Sequence, residues 1–304
     1  MSLQIFLSSY NGEKYIRIQL DSLLAQTYQD FKVLIRDDGS LDKTREILEE
    51  YAQRDFRISW YGLENRGVVE SFFDLMKRAD LTCDYFAFAD QDDEWLPEKL
   101  EKAVEVLQAI GSAEPVLYCS DKIIVDEELR PLDVRVTRDI RKPSFGNALV
   151  QGICTGCTAV WNRNLMEVLR GHMPIRIGNV VMHDWWLYMA ASCLGAVYYD
   201  EHAYIRYRQH QHNKIGAMIT KRQLLFYRLK QLNKPRGEIY RQVKEFVAAF
   251  GREMSEENMR LATELLKAEK NIFLRLKVVK NKELFRHKAY DDLVFRIIVL
   301  FGKL

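Results

Sequence analysis

LQIFLSSYNGEKYIRIQLDSLLAQTYQDFKVLIRDDGSLDKT, residues 3–44, decides the fold. Leu3 to Tyr10 is an apolar run that ends abruptly on polar residues, as a buried strand does, and Tyr15 to Ala25 carries apolar residues at helical spacing. FKVLIRDD repeats the strand and ends on Asp37 and Asp38. LDKTREILEEYAQR then reads as a helix that Asp42 caps or leads into. A third strand near Arg57 to Tyr61, a helix from Val68 to Ala79, a strand from Asp84 to Ala89 and a helix from Pro97 to Ile110 continue the alternation. Strand and helix in turn predict a doubly wound, mostly parallel α/β sheet with helices on both faces. In such sheets ligands bind beyond the carboxyl ends of the strands. Asn11, Asp37, Asp38, Asn65 and Asp90 all fall at strand ends, where a site is expected.

The segment FAFADQDDEWLPEKL, Phe86 to Leu100, places three aspartates after a core strand. Their mutual repulsion is costly unless a cation joins them. Asp90 and Asp92 are spaced to direct oxygen ligands at one hard divalent ion, with water and phosphate oxygens completing its shell. The alternative is an acidic turn in which Asp93 or Glu94 caps the next helix. Neither a G-x-G-x-x-G fingerprint nor a G-x-x-x-x-G-K-[ST] loop is present, which disfavours two common nucleotide sites. Asp37 and Asp38 before Gly39-Ser40 offer a carboxylate to a pyrimidine N–H, or simply a turn.

Beyond Gly111 the pattern loosens. VLYCSDKIIVDEEL reads as strand, turn and strand, followed by polar loop to about Gly146. Leu165 to Arg170 reads as a short helix, Asp184 to Gly195 as a longer one, and AVYYDEHAYIRYRQH as a strand pair or extended segment. From Lys221 the chain reads as helical, with breaks at Pro235-Arg236-Gly237 and Gly251.

The chain has 304 residues, 48% of them hydrophobic, and a formal charge of +2. That charge is uneven: residues 217–304 hold 20 Lys and Arg against 10 Asp and Glu, leaving the first 216 at −8. The division implied is a body at 1–216 and a basic helical region at 217–304 that meets an anionic surface. Repeated Lys and Arg among Leu224, Phe226, Leu229, Phe246, Phe250, Ile272, Phe273, Leu274 and the terminal LVFRIIVLFGKL suggest helices with one apolar and one cationic face, suited to anionic membranes. Packing on the core or on another subunit, as in a homo-oligomer, is the alternative. The acidic body and the lack of a recognition motif argue against nucleic acid. Five cysteines form no disulfide framework, so a reduced, cytoplasmic setting is expected. Cys154 and Cys157 have metal-like spacing but no second pair. No basic-then-apolar leader precedes Ile5, and no apolar run nears the roughly 20 residues that cross a bilayer. The expectation is a cytoplasmic protein that neither spans the membrane nor leaves by a standard signal, and that sits peripherally on the membrane's inner face if the tail binds lipid.

Four blocks, SSYNGEKYI, DDGSLDKT, ENRGVVESF and ADQDDEWLPEKL, resemble in order and spacing the family 2 glycosyltransferases of GT-A fold. The likeness is strong over the first 110 residues and looser to about residue 216. DQDDEW, HDWW and YRQHQHN are most similar to bacterial rhamnosyltransferases of surface polysaccharide synthesis. The resemblance implies a nucleoside diphosphate sugar as donor, dTDP-rhamnose or a UDP-hexose, a glycan or lipid-linked acceptor, and Mn²⁺ or Mg²⁺. It implies that Ser9, Tyr10 and Asn11 line the nucleotide pocket, that Asp38 with Asp37 reads the base, and that Asn65 and Arg66 approach the nucleotide or phosphates. Asp90 and Gln91 would face the donor, Asp92 and His210 the metal, and Arg208 the diphosphate. Asp184, in GNVVMHDWWLYMAAS, would be the general base; on residue pattern alone it is a helix cap. His183, Trp185 and Trp186 would meet the acceptor, with core packing the alternative for the tryptophans. His212 is a weaker member of the same loop. Gly152 and Gly156 would let backbone approach a ligand closely. A nucleotidyltransferase would want a glycine-rich basic loop after the first strand, where only Gly12 stands. A non-catalytic nucleotide-sugar or glycan-binding module is the other rival, separable by turnover.

Overall fold

A computed structural model describes residues 1–111, 113–132, 142–210 and 237–304. The strands are β1 (Leu3–Ser9), β2 (Phe31–Asp37), β3 (Ile58–Gly62), β4 (Tyr85–Ala89), β5 (Glu94–Trp95), β6 (Val116–Val125), β7 (Val160–Asn162) and β8 (Ala196–Arg208). They form one sheet in the order β3-β2-β1-β4-β7-β6-β8-β5. The β3–β2–β1–β4 part is wholly parallel. β7 runs antiparallel to β4 and β6, and β5 antiparallel to β8, so the sheet is mixed.

Alternation along the strands assigns side chains to two cores. Leu3, Ile5 and Leu7 of β1 and Tyr85, Ala87 and Ala89 of β4 face one side, under α1 (Ile16–Leu24), α2 (Thr44–Arg54) and α4 (Lys99–Ile110). Phe6, Phe86 and Phe88 face the other, under α3 (Val68–Lys77), α6 (Arg163–Gly171) and α7 (His183–Leu194). Burial on both faces is why these strands are continuous apolar runs rather than alternating ones. The helical region is α8 (Glu238–Phe250), α9 (Glu256–Ala268), α10 (Ile272–Lys280) and α11 (Ala289–Leu300), after the short α5 (Phe145–Ala148). It shares the second core: Trp186 meets Phe246 and Phe250 edge-on or tilted at 5.3 and 5.8 Å between ring centroids. Phe246 and Phe250, expected on a membrane face, are core residues. The expected helix from Lys221, its break at Pro235-Arg236, and the segment holding Leu224, Phe226 and Leu229 lie outside the described residues up to Gly237.

Two local readings change. Val116–Val125 is one strand, with register shifts between Ser120 and Ile123 where a turn was expected. Ala196–Arg208 is a single strand, the extended one of its two expected forms. The acidic loop does not cap α4: Asp93 accepts from Arg208 N at 3.1 Å, and Glu94 pairs with Arg206 at 2.7 Å. Asp42 does lead into α2, its Oδ1 accepting from Thr44 N at 3.0 Å.

Register sets the geometry of the site. Ser9 lies opposite Asp37, Asp37 opposite Gly62, and Leu7 opposite Ala89, so the loops after all four parallel strands open on one edge. Antiparallel β7 brings the turn before it, Thr155–Thr158, to that same edge. The C-terminal halves of β6 and β8 reach it too, because both run parallel to β4.

Candidate active site

The first wall of the site is a set of loops tied together by their own polar groups. Gln91 bridges the loops after β4 and β1, accepting from Tyr10 N at 2.8 Å and donating to Tyr10 O at 3.0 Å. Asn11 has a left-handed backbone, φ 47°, and its N–H meets Ser40 Oγ at 2.9 Å while its Oδ1 accepts from Leu41 N at 2.9 Å. Asn tolerates that conformation with a small penalty. Tyr10, Asn11, Asn65 and Arg66 are exposed along this wall.

Ser9, Asp37 and Asp38 lie beneath it. Ser9 is buried, with Oγ 3.4 Å from Asp37 Oδ2. Asp37 is fully buried and accepts from Ser40 N, Ser40 Oγ and Arg45 Nε, so it holds the DDGS turn. Asp38, 2% exposed, accepts from Arg66 N at 2.9 Å, Gly67 N at 2.8 Å and Arg36 Nη1. A base reaching Asp38 would share its oxygens with these donors. Arg36, buried among Asp38, Ser71 and the Glu64 carbonyl, ties the two loops and was not singled out in the sequence.

The second wall is the DQDD loop. His210 Nε2 lies 2.7 Å from Asp92 Oδ2, with side chains 8% and 16% exposed. The His210 ring packs 5.0 Å from the Tyr15 ring, and Tyr15 OH donates to Glu127 Oε2 at 3.0 Å. Arg208 was expected at the diphosphate; it is instead buried, with Nε donating to Asp92 O at 2.7 Å, Nη1 to Glu127 O, and its guanidinium 4.7 Å from the Tyr15 ring centre. It braces the loop from below. His212 lies outside the described residues.

Two donor sets for a cation stand near each other. Asp90, Asp93 and Cys157 have ligand atoms within 4.8 Å of one another. Burial, then Asp92 and Asp90, push the Asp93 carboxyl well up, and burial pushes the Cys157 thiol up. Cys157 offers a soft sulfur, which suits Mn²⁺ or Mg²⁺ less well than oxygen does. Asp92 and His210 offer a carboxylate oxygen, the ligand type that Mn²⁺ and Mg²⁺ prefer, and an imidazole nitrogen beside it. Burial first, then the charges of Asp92 and Asp184, raise Asp90 to about 7. That unrelieved repulsion is the property a cation would remove.

Asp184 faces this loop from the first turn of α7. It is not the cap, which is Met182. Its Oδ2 accepts from Gly156 N at 2.9 Å and its Oδ1 from Trp185 N at 2.7 Å. Burial raises its pKa to about 6, against the lowering effect of those N–H groups and of Lys122. Lys122, on the irregular part of β6, was missed in the sequence because it lay in an expected turn. Its Nζ donates to Thr155 Oγ1 at 2.7 Å, and its charge lowers both Asp90 and Asp184.

The neighbours of Asp184 on α7 do not all reach the site. His183 is buried, stacked 3.9 Å from the Phe72 ring and edge-on to Phe88, and Trp186 is fully buried in the second core. Trp185 is half-buried, with Nε1 donating to Ala148 O at 2.7 Å. Gly152 and Gly156 let α7 approach closely: a Cβ at residue 152 would lie 3.0 Å from Trp185, and one at 156 would lie 3.0 Å from His183 Nε2.

With this geometry in place, comparison with known proteins is informative. The glycosyl transferase family 2 model matches residues 4–167. A dTDP-rhamnosyl transferase of Shigella flexneri is 30% identical over 230 residues, covering 70% of this chain and 75% of that protein. A putative teichuronic acid biosynthesis glycosyltransferase of Bacillus subtilis is 37% identical over 106 residues, 34% of this chain and 41% of its own. Among solved structures, S. aureus TarS 1–349 in complex with UDP-GlcNAc matches with a TM-score of 0.57 at 16% identity, covering 99% of this chain and 91% of that one. A mannosyltransferase of Pyrobaculum calidifontis, in complex with GDP-Man and Mn²⁺, matches at 0.50 with 14% identity, covering 99% and 85%.

Proposed function

The chain belongs to glycosyl transferase family 2, and from that premise we propose an inverting transfer of L-rhamnose from dTDP-rhamnose to a hydroxyl of a glycan or lipid-linked acceptor in surface polysaccharide synthesis. One observation carries the mechanism: Asp184, held by Gly156 N and Trp185 N, lies close enough to the DQDD loop for its charge to raise the Asp90 carboxyl. Asp184 takes the acceptor hydroxyl proton as that oxygen attacks the anomeric carbon. The bond from that carbon to the diphosphate oxygen breaks with its electron pair, and the sugar inverts. A well-placed base contributes roughly 10² to 10⁴ in rate. Gly156 N and Trp185 N orient its two oxygens. Asp92 and His210 would hold Mn²⁺ or Mg²⁺, which would supply positive charge where the leaving diphosphate accumulates negative charge. Tyr10, Asn11, Asn65 and Arg66 form the wall where the nucleotide binds, over Asp38, and Asp90 with Gln91 lies at the donor sugar's end.

Support for rhamnose is the Shigella flexneri relative; a UDP-hexose is the alternative donor. Thermal melting with each nucleotide sugar, with and without Mn²⁺ or Mg²⁺, tests the reading. The expected result is metal-dependent stabilisation by dTDP-rhamnose that disappears in Asp92→Ala, followed by turnover with an acceptor. Stabilisation by a UDP-hexose alone would move the donor to the alternative. Binding without transfer or hydrolysis would make the protein a binding module, and overturn the mechanism.

A further inference from the structure

Most large apolar side chains of the C-terminal region point into the shared core, but α10 and α11 keep an outward apolar face. Ile272, Phe273 and Leu276 on α10 and Leu293, Ile297 and Phe301 on or just after α11 are 45–77% exposed. Residues 293, 297 and 301 recur every four positions, so they share one side of their helix. The two helices pack together, and Arg275 Nη1 donates to Leu300 O at 3.4 Å, which sets the start of α10 beside the end of α11. A face of this size needs an occupant.

The charge around it selects one. Residues 270–304 carry nine Lys and Arg against three Asp and Glu, and from Lys270 to Lys282 there are five basic residues and no acidic one. Lys270, Lys280, Lys282 and Lys303 are exposed. A second copy docked face to face would set this cationic surface against itself, a repulsive pairing. An anionic surface complements it, and a lipid bilayer offers apolar depth and anionic phosphates together. We propose that the α10–α11 face docks this protein on an anionic bilayer, with its apolar side chains in the headgroup boundary and its lysines on lipid phosphates. No helix among the described residues is long and apolar enough to cross a membrane, so attachment would be peripheral. The proposal deepens the functional reading by naming the surface on which a lipid-linked acceptor is met, and it rests on that reading only for the acceptor.

Flotation of the full chain with vesicles of phosphatidylcholine alone, or with roughly one lipid in three as phosphatidylglycerol, tests it. The expected result is co-flotation with anionic vesicles that weakens as salt is raised. The exposed-site variant Phe273→Ser/Leu293→Ser/Phe301→Ser should lose binding. Lys270→Gln/Lys280→Gln/Lys303→Gln should weaken it by on the order of a hundredfold. Failure to float with either vesicle, or equal binding to neutral ones, overturns the proposal. So does a monomer–oligomer equilibrium in light scattering that the serine variant abolishes while no vesicle binding is seen, since the face would then be a protein interface. Donor-dependent melting of the same preparations separates failure of this surface from failure of the transferase site.

Discussion

Replacing Gly12 by alanine should break the link between the first and fourth strand-end loops by displacing the Gln91 side chain. A Cβ at position 12 would lie 2.8 Å from Gln91 Cδ, closer still to Oε1, and 3.4 Å from Nε2. The side-chain amide of Gln91 is the flexible partner, so it swings away rather than forcing the backbone apart. What is lost is its pair of bonds to Tyr10 N and Tyr10 O. Both bonds are exposed, and each is worth about 0.5–1 kcal/mol, so the variant should lose roughly 1–2 kcal/mol, a fall of a few degrees in Tm. Gly12 N keeps its bond to Thr44 Oγ1 at 2.8 Å, so the turn itself stands. If the bridge orders the donor wall, nucleotide affinity should fall by up to about tenfold. Melting and donor titration of Gly12→Ala, Gln91→Ala and the double variant decide the matter. Both single changes remove the same bridge, so the double variant should cost no more than Gln91→Ala alone. Additive losses would show that the alanine acts elsewhere, and an unchanged Gly12→Ala protein would refute the bridge as a working contact.

Asp184→Asn should abolish transfer while donor-dependent melting persists; a lost melting shift would argue that Asp184 serves binding. The base must be ionised, so transfer should fall as pH drops through about 6. Lys122 lowers that value, so Lys122→Met should move the acid limb to higher pH and Lys122→Arg should hold it, as measured in kcat/KM profiles. The same raised pKa opposes stability: between the unfolded value of 3.8 and about 6 the folded state binds more protons, so stability falls as pH rises through that window. Asp184→Asn should therefore melt at or above the parent at pH 8 and lose that advantage below pH 4. Trp186→Ala should cost about 3–5 kcal/mol in denaturant titrations, because the fully buried ring joins α7 to α8 through Phe246 and Phe250. A cost below 1 kcal/mol would mean that the helical region does not depend on this contact.

The parallel half of the fold was legible because two independent signals coincide there. β1 and β4 are apolar on both faces and therefore nearly continuous in hydropathy, β2 is apolar on one face, and each ends in a polar loop that the register brings to one edge. Later strands lack that double signal. β6 carries Asp121 and Lys122 at its register shifts, and a charged pair inside a strand reads as a turn until a bulge is known to turn it outward. At the site, local pattern could not tell the exposed candidates from the buried ones. HDWW contains an acid, an imidazole and two indoles within four positions, but helical geometry sends them different ways: Asp184 to the sheet edge, Trp186 and His183 into aromatic contacts.

Arg208 is the sharpest instance of that limit, and Arg36 shares it. A charged residue in a strand or at its end is taken by default as solvated or ligand-facing, since charge is rarely buried without partners. Both arginines are 1% exposed. Apart from Asp38, two residues from Arg36, the partners named lie 28 to 116 residues away: the Asp92 and Glu127 carbonyls for Arg208, the Glu64 carbonyl and Ser71 for Arg36. No local window contains such a set. A guanidinium offers five donors in a fixed fork, so it can hold several loop carbonyls at once where a lysine could not. The strand-end loops are thus fixed by two buried cations from beneath, and the exposed residues above them, Tyr10, Asn11, Asn65 and Arg66, remain available to a ligand.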